Sequence, residues 1–267
     1  MDRGAPSNRS LTRVRYETKR RLLTVTAKTA LTPHLIRITL SGDFDGFQSP
    51  GFDDHVKLFF PDPVTGVLAL PAIGNPPVPG AIKPLMRDYT PRRFDALAQT
   101  LDIEFALHDS GPATKWALSA EVGDTITLGG PRGSTLIPLA FDGYVLIGDD
   151  TALPAIARRL EELPAGTKVI VVAEVGSQED RLEFTTQADV HITWVYRRSC
   201  SISCLNDSLR ALHLPQNDIH VWVACEASQA KLIRAQLIED HGVNPAWIKA
   251  SGYWHKGHAG AEKTIET

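Results

Sequence analysis

The stretch "DGYVLIGDDTALPAIARRLEEL" (142–163) marks a change in the pattern of the chain. It contains a continuous apolar strand, a turn and a helical pattern that Asp150 or Thr151 would cap. Further apolar strand candidates follow, with helical segments between and after them. They span 167–175, 188–196 and 218–226. Because alternating strands and helices are typical of parallel sheets, a mostly parallel α/β domain is predicted for residues 142–267.

The residues before this boundary have a different texture. Short segments alternate apolar and polar side chains, and Gly and Pro separate them. These segments span 22–31, 34–42, 55–61, 87–93, 101–108 and 123–130. The pattern predicts an N-terminal antiparallel β-barrel at 21–141, after a polar basic tail at 1–20. A Pro/Gly-rich loop is expected at 71–84.

Composition excludes several classes of protein. The chain has 267 residues, of which 43% are hydrophobic and 22% charged, so it can form a packed core. Its formal net charge of -3 argues against bulk nucleic-acid binding. No segment approaches the ~18 apolar residues that span a bilayer, and the N-terminal residues lack the apolar stretch of a signal peptide. We therefore expect a cytoplasmic protein that binds neither membranes nor nucleic acid. A monomer is also expected, although no feature of the sequence decides the oligomeric state.

The cysteines agree with this location. Their number, three, is odd and low, which favours a reducing compartment over a disulfide framework. Cys200 and Cys204 could supply two metal ligands, but no second pair or nearby histidine completes a tetrahedral site. We expect no bound metal.

A local concentration of positive charge stands out in "PLMRDYTPRRFD" (84–95). Three arginines surround one Tyr-Thr pair in a chain that is slightly acidic overall. Either this is a solvated edge strand, or an anionic planar ligand lies there. The residues alone leave both readings open.

A short helix is predicted within "GPATKWALSAEVGD" (111–124). Gly111 and Pro112 precede it, so its first backbone N–H groups would be free to bind an anion. The alternative is a helix that only caps the barrel.

The α/β half has no G-x-G-x-x-G sequence after a strand, so the common dinucleotide fingerprint is absent. Ligands of open α/β sheets still bind at the carboxyl ends of the strands. Two such ends are "GDDTALPA" (148–155) and "ACEAS" (224–228).

The order of these features resembles that of the ferredoxin-reductase superfamily, and within it the siderophore-interacting proteins, also called ferric-siderophore reductases. The resemblance extends over about residues 20–260. The matching stretches are "DHVKLFFP" (54–61), "RDYTPRRFD" (87–95), "LDIEFALHDSGPATKWA" (101–117), "GDTITLGGPRGS" (123–134), "GDDTALPAI" (148–156), "WVACEASQAKLIRAQL" (222–237) and "GYWHKG" (252–257). It implies an FAD-binding β-barrel domain at 21–141 and an NAD(P)H-binding α/β domain at 142–267.

The resemblance also implies a set of FAD contacts. Arg87 would hold the pyrophosphate, Tyr89 would pack against the flavin, and Thr90 would form a hydrogen bond near its N5 atom. Further implied contacts come from Arg92, His108, Gly111, Pro112, Ala113, Thr114 and Trp116. Pro91 departs from the family, which usually has an apolar aliphatic residue there, although proline is tolerated on an edge strand. Arg93 is expected to face solvent.

For the second domain, the resemblance implies contacts to NADH or NADPH. Asp149, Thr151 and Ala152 would line the nicotinamide approach, with Glu226 facing it and Trp254 stacking near the flavin or closing the domain interface. Candidates for the 2′-phosphate of NADPH are Arg197, Arg198, Lys231 and Arg234. Cys225 stands where the family more often has glycine, and we interpret it as a small buried apolar side chain.

A basic cluster beside the flavin would bind the substrate, an anionic ferric siderophore of the catecholate type. Lys57, Arg132, His255 and Lys256 match this cluster, with His255 at a position where the family usually has arginine. A histidine is mostly neutral at pH 7, so this departure weakens the positive charge.

The implied activity is reduction of the ferric siderophore by FAD, with NAD(P)H as the electron donor and no separate catalytic acid or base. Three alternatives stay open. They are a general flavin or quinone reductase, a reductase that takes electrons from ferredoxin, and a carrier that binds siderophores without flavin.

Overall fold

A computed structural model describes residues 9–71, 82–108, 111–197, 204–215, 217–256 and 263–264. These residues divide into two compact units, one formed mainly by Val14–Ser134 and one formed mainly by residues from Thr135 onward. Of the sequence predictions, most of the 71–84 loop, Arg198 and Cys200 lie outside the described residues.

The first unit is built on β-strands. Its elements are β1 (Thr12–Arg15), β2 (Arg20–Thr32), β3 (Leu35–Ser41), β4 (Val56–Phe60), β5 (Leu85–Tyr89), β6 (Pro91–Asp95), β7 (Thr100–Ala106), α1 (Pro112–Ser119), β8 (Thr125–Gly129) and β9 (Gly133–Leu136). The limits of the unit along the chain fall within β1 and β9. Strands β2 to β8 form one seven-stranded sheet with the order β5-β4-β8-β2-β3-β7-β6. All of the recorded pairings in this sheet are antiparallel.

This sheet is curled. Strands β5 and β6 occupy its two edges, yet only Thr90 separates them in the sequence. A single residue cannot span the width of a flat sheet, so the two edges must approach each other. The predicted antiparallel barrel is thus confirmed as a curled half-barrel.

The core of the first unit follows from the period-2 pattern of its strands. Leu23 and Val25 of β2, with Ile38 and Leu40 of β3, have no exposed surface. Helix α1 adds Ala113 and Ala117 to the same apolar cluster. Each buried aliphatic side chain contributes roughly 1.5–3 kcal/mol, so the alternation sets which face turns inward.

The second unit is an α/β structure. Its elements are β10 (Gly143–Asp149), α2 (Leu153–Glu162), β11 (Lys168–Val175), β12 (Asp189–Tyr196), α3 (Cys204–Arg210), β13 (Ile219–Glu226), α4 (Ala227–Glu239), β14 (Ile248–Trp254) and β15 (Lys263–Thr264). The sheet has the order β12-β11-β10-β13-β14-β15, and only β15 runs antiparallel to its neighbour among the described strands. The predicted parallel α/β domain is confirmed.

Both faces of the central strand β10 are buried, which explains its continuous apolar sequence. Val145 and Ile147 pack in a cluster with side chains of α3 and α4, and Tyr144 and Leu146 are buried on the opposite face. The chain places β11 and β12 on one side of β10 and β13 and β14 on the other. This reversal makes the carboxyl ends of β10 and β13 the expected position of a ligand crevice.

Two local predictions need correction. The segment read as a polar tail contains β1, and a backbone N–H of Tyr16 donates to Arg132 O at 2.9 Å. Asp149 caps the turn after β10, because its side chain accepts a hydrogen bond from Thr151 N. The predicted capping residues, Asp150 and Thr151, lie inside this turn. A 3-10 turn at Asp150–Ala152 separates the strand from α2, so the helix begins later than predicted.

Pro91 is the first residue of β6, which lies at an edge of the sheet and pairs with β7 among the described strands. This edge position needs no second ladder hydrogen bond, so proline is tolerated there. None of the described helices is long and apolar enough to cross a membrane.

The close approach of β1 to β9 depends on Gly133. A Cβ atom at this position would lie 2.2 Å from Val14 O, a backbone atom that cannot move aside cheaply. We predict that Gly133→Ala lowers the free energy of unfolding by about 1–3 kcal/mol, measured by urea denaturation. Gly111→Ala is the matched control, since its Cβ would meet nothing within 4 Å. Equal stability of the two variants would contradict the prediction.

Candidate active site

Two of the predicted flavin contacts of the first unit, Tyr89 and Trp116, pack on the same side chain, Phe105. Arg87 and Tyr89 of β5 lie opposite Leu58 and Val56 of β4, on the face that points to the core. The rings of Tyr89 and Phe105 have centroids 4.5 Å apart, and Trp116 of α1 lies 5.6 Å from the same Phe105 ring. The Tyr89 strand and helix α1 are therefore brought together by one buried aromatic side chain.

Arg87 has spare hydrogen-bonding capacity. Its Nη1 donates to Met86 O at 2.7 Å, and no carboxylate forms a salt bridge with it in the described part of the chain. Burial lowers the pKa of the Arg87 guanidinium, which still stays charged at neutral pH. A half-buried, unpaired guanidinium is suited to a forked contact with a phosphate group.

The start of α1 supplies further donors. Gly111 is the N-cap residue and makes no side-chain capping hydrogen bond, and the first turn carries no acidic residue. The backbone N–H of His108 donates to Thr114 Oγ1 at 3.3 Å, so the exposed His108 is tied to this first turn. Together with Arg87, the helix start fits the pyrophosphate of a dinucleotide such as FAD.

Two other predicted flavin contacts, Thr90 and Trp116, have limited exposed surface. Thr90 is 7% exposed and lies between the two edge strands. Trp116 is half-buried and packs against Phe60 as well as Phe105, so much of its surface belongs to the core. A flavin would meet only the remaining surface of Trp116.

Arg92 has a different environment from Arg87. It is buried, and its Nε lies 3.4 Å from Glu104 Oε1. The same oxygen accepts from Arg37 Nε at 3.0 Å and Nη2 at 2.5 Å. The Arg92 guanidinium therefore neutralises a buried carboxylate inside the unit, whereas Arg93 is exposed as predicted.

The two substrate-binding candidates of this unit also differ. Lys57 Nζ lies 2.7 and 2.8 Å from the two carboxylate oxygens of Asp88, directly across the β4–β5 pair. Arg132 is exposed and forms no ion pair with any described residue. Of these two residues, Arg132 is therefore the one whose positive charge is not compensated by a described carboxylate. The sequence predictions missed Asp88, because its cross-strand pairing with Lys57 depends on the strand register.

In the second unit, the sheet brings Asp149 and Trp254 together. Asp149 Oδ1 accepts from Thr151 N at 3.0 Å and Thr151 Oγ1 at 2.5 Å, and Asp149 Oδ2 accepts from Trp254 Nε1 at 2.7 Å. Because β13 lies between β10 and β14, the Trp254 side chain reaches across the end of β13. The sequence predicted that Trp254 stacks near the flavin or closes the domain interface, and it gave no sign of this bond, because the bond depends on the strand order.

This environment perturbs Asp149. Burial, and then the neighbouring charge of Asp150, raise the pKa of Asp149 to about 7, although the hydrogen bonds from Thr151 and Trp254 oppose the shift. Its carboxyl group consequently changes protonation state near neutral pH.

Glu226 and Cys225 end strand β13. Glu226 Oε2 accepts from Ser228 N at 2.8 Å and Gln229 N at 3.1 Å, and its Oε1 accepts from Lys256 N at 3.3 Å. Burial raises the pKa of Glu226, but a hydrogen bond from the Ser228 hydroxyl, together with these backbone hydrogen bonds, outweighs burial and holds the pKa below its usual range. The Cys225 side chain is fully buried, and burial with nearby carboxylates raises the pKa of its thiol. This confirms its interpretation as a buried apolar side chain.

The candidates for a nucleotide 2′-phosphate are not equivalent. Arg197 Nε donates to Glu174 Oε1 at 3.0 Å, and its Nη1 donates to Asp150 Oδ2 at 3.1 Å. Its charge is thus already compensated by two carboxylates. Lys231 is exposed and Arg234 half-buried on α4, and neither forms an ion pair among the described residues.

The remaining predicted residues of this unit are Ala152, His255 and Lys256. Ala152 is buried in the turn after β10, whereas His255 is half-buried and Lys256 exposed beyond Trp254. Since the backbone of Lys256 is bound by Glu226, the path of this segment is fixed while the Lys256 side chain faces solvent.

Comparison with protein families agrees with this organisation. Residues 24–135 match the model of the siderophore-interacting FAD-binding domain, and residues 141–257 match the siderophore-interacting protein model. The described architecture, a curled antiparallel sheet followed by a parallel sheet with helices, is the ferredoxin-reductase-like fold. More narrowly, the chain belongs to the siderophore-interacting protein family.

Individual relatives cover most of the chain. An NADPH-dependent ferric-chelate reductase of Escherichia coli K12 is 33% identical over 91% of this chain and 96% of its own length. A ferric vibriobactin reductase of Vibrio cholerae is 32% identical, with 89% and 90% covered. The crystal structure of a siderophore utilization protein from T. fusca superposes with a TM-score of 0.86 at 38% identity, covering 94% of this chain and 98% of that one.

The raised pKa of Asp149 leads to a pH prediction. The folded pKa of about 7 lies above the ordinary value of 3.8, so protonated Asp149 stabilises the fold at low pH. This stabilisation is lost as the pH rises through about 7, with a slope of at most ~1.4 kcal/mol per pH unit. We expect urea unfolding of Asp149→Asn to show a smaller loss of stability between about pH 5 and pH 8 than the wild type. Identical slopes would show that Asp149 does not titrate in this range.

Proposed function

We propose that this protein is an FAD-dependent reductase of ferric siderophores that takes its electrons from NADPH or NADH. The observation that carries the proposal is the set of available hydrogen-bond donors in the first unit. There an unpaired arginine, Arg87, and the start of α1 offer the donors that an FAD pyrophosphate needs. The names of the E. coli and V. cholerae relatives support the choice of a ferric chelate as substrate.

In this proposal, Arg87 and the backbone of Gly111–Thr114 hold the pyrophosphate, while Tyr89 and Thr90 orient the flavin ring. When bound, FAD supplies the redox chemistry: a hydride from NADPH provides two electrons, one for each of two ferric chelates, with release of one proton. Packing of the Tyr89 ring on Phe105, with centroids 4.5 Å apart, restricts where the Tyr89 ring can meet the flavin.

The residues at the carboxyl edge of the second unit would receive the nicotinamide nucleotide. Asp149, Thr151 and Trp254 form one hydrogen-bonded group that holds the ends of β10 and β14 in place. Lys231 and Arg234 are better candidates for a 2′-phosphate than Arg197, whose charge is compensated. A preference for NADPH would agree with the name of the E. coli relative.

For the substrate we propose a catecholate chelate, since its negative charge suits the uncompensated Arg132. Release would follow because Fe(II) binds catecholates far less tightly than Fe(III). We further propose a monomer that acts in the cytoplasm, where the thiol of Cys225 stays reduced.

The decisive experiment is an anaerobic assay with FAD-loaded protein, NADPH or NADH, and ferric catecholate and hydroxamate chelates, with ferrozine to trap Fe(II). Faster reduction than with free FAD and the same nucleotide is expected. A parallel arm replaces the nucleotide by reduced ferredoxin. If no chelate is reduced faster than by free FAD with either donor, the proposed function is wrong.

Arg87 can be tested through cofactor binding alone. Arg87→Ala should weaken FAD binding by at least ~10-fold, because a charge-assisted phosphate contact contributes about 1.5–3 kcal/mol. Calorimetric titration of apoprotein with FAD measures the change. Arg93→Ala is the control, since Arg93 is exposed on the next strand. An equal effect of both substitutions would argue against a phosphate contact at Arg87.

Arg132 can be tested through the substrate. Arg132→Ala should lower kcat/KM for a polyanionic ferric catecholate by roughly 3- to 10-fold at low ionic strength, through loss of long-range attraction. The ferrozine assay at several salt concentrations measures this effect, which added salt should diminish. Arg93→Ala again changes the net charge equally. A loss that salt does not alter would contradict an electrostatic role.

A further inference from the structure

We propose that Asp88 is a specificity-determining residue. It partly neutralises the positive charge of the proposed chelate-binding residues Lys57 and Arg132, and it thereby lowers the affinity for highly charged ferric siderophores. The proposal rests on the proposed function, because it assumes that a ferric chelate meets Lys57 and Arg132. No substrate contact by Asp88 itself is needed.

The geometry of the β4–β5 pair is the first support. Lys57 and Asp88 are direct cross-strand neighbours, and both carboxylate oxygens of Asp88 lie within 2.8 Å of Lys57 Nζ. The side chains are 26% and 18% exposed, respectively, so water screens the pair only in part. The positive charge of Lys57 is therefore largely cancelled before any anion arrives.

The position of Asp88 separates it from the predicted flavin contacts. Side chains alternate along a strand, so Asp88 points away from the face that carries Arg87 and Tyr89. On that opposite face Asp88 pairs with Lys57, which itself lies opposite Gly129, three residues before Arg132 in the chain. A substitution at Asp88 can therefore change the net charge at Lys57 without removing a predicted flavin contact.

The effect on specificity follows from charge. With Asp88 ionised, the group of Lys57, Asp88 and Arg132 has one net positive charge, and without it the group has two. The attraction of a ferric chelate scales with its own charge, so a polyanionic tris-catecholate gains most from the second cation and a neutral tris-hydroxamate gains nothing. Asp88 thus narrows the difference in affinity between the two chelate classes.

The test is Asp88→Asn, which keeps the side-chain shape and an oxygen that can accept from Lys57. Calorimetric titration of the FAD-loaded protein, without nucleotide, measures binding of a ferric tris-catecholate and a neutral ferric tris-hydroxamate. We expect the Kd of the tris-catecholate to fall by roughly 3- to 10-fold at low ionic strength and the gain to shrink in salt. The ratio of the two Kd values is the readout.

Two further variants separate this effect from general charge and from folding. Asp189→Asn removes the acid of another cross-strand pair, Lys168–Asp189 on β11 and β12, and changes the net charge equally. It should leave the ratio of Kd values as in the wild type. The double variant Lys57→Ala with Asp88→Asn restores the original net charge and should return the ratio toward the wild-type value.

Three results would overturn the proposal. The first is an unchanged ratio of Kd values in Asp88→Asn. The second is weaker tris-catecholate binding in Asp88→Asn, which would mean that Asp88 positions Lys57 for substrate. The third is an equal gain in tris-catecholate affinity in Asp189→Asn. In each case wild-type protein that still reduces ferric chelates keeps the proposed function intact. Wild-type protein that reduces no chelate overturns the proposed function and this inference together.

Discussion

The connection of β5 to β6 through Thr90 constrains the whole first unit. Neighbouring strands lie about 4.8 Å apart, so the outer strands of a flat seven-stranded sheet would be nearly 30 Å apart. One residue spans at most ~3.6 Å, and the sheet therefore has to curl until its two edges meet. We call the place where the two edges meet the seam. It contains Arg87, Tyr89 and Thr90, and nearby Phe105 packs between Tyr89 and Trp116 of α1.

The second unit depends on the reversal of strand order beside β10. The carboxyl ends of β10 and β13 lie next to each other, and Asp149 and Glu226 end these two strands. Asp149 is bound by Trp254 from β14, so one hydrogen bond joins strands on both sides of β13. Because burial raises the pKa of Asp149 to about 7, this bond also links the carboxyl end of β14 to a group whose charge changes near neutral pH.

Pairing within each unit decides which charges are available to a ligand. Arg92 is bound to Glu104, Lys57 to Asp88, and Arg197 to Glu174 and Asp150. Arg87 and Arg132 have no such partner among the described residues. Two arginines separated by only a few residues, Arg87 and Arg92, therefore have different chemistry, because one faces the seam and the other a buried carboxylate.

The sequence by itself determined the two fold classes, their order and the strands that carry the motif around Tyr89. Hydrophobic periodicity is local, and it reports directly whether a segment buries one face or two. It also indicated that Cys225 is buried, because it lies in a continuous apolar strand. Only the tertiary structure decided the curl of the first sheet, the bond between Asp149 and Trp254, and the neutralisation of Lys57 by Asp88. These features join residues that are distant in the chain, and strand order and register, which bring them together, result from packing of the whole unit.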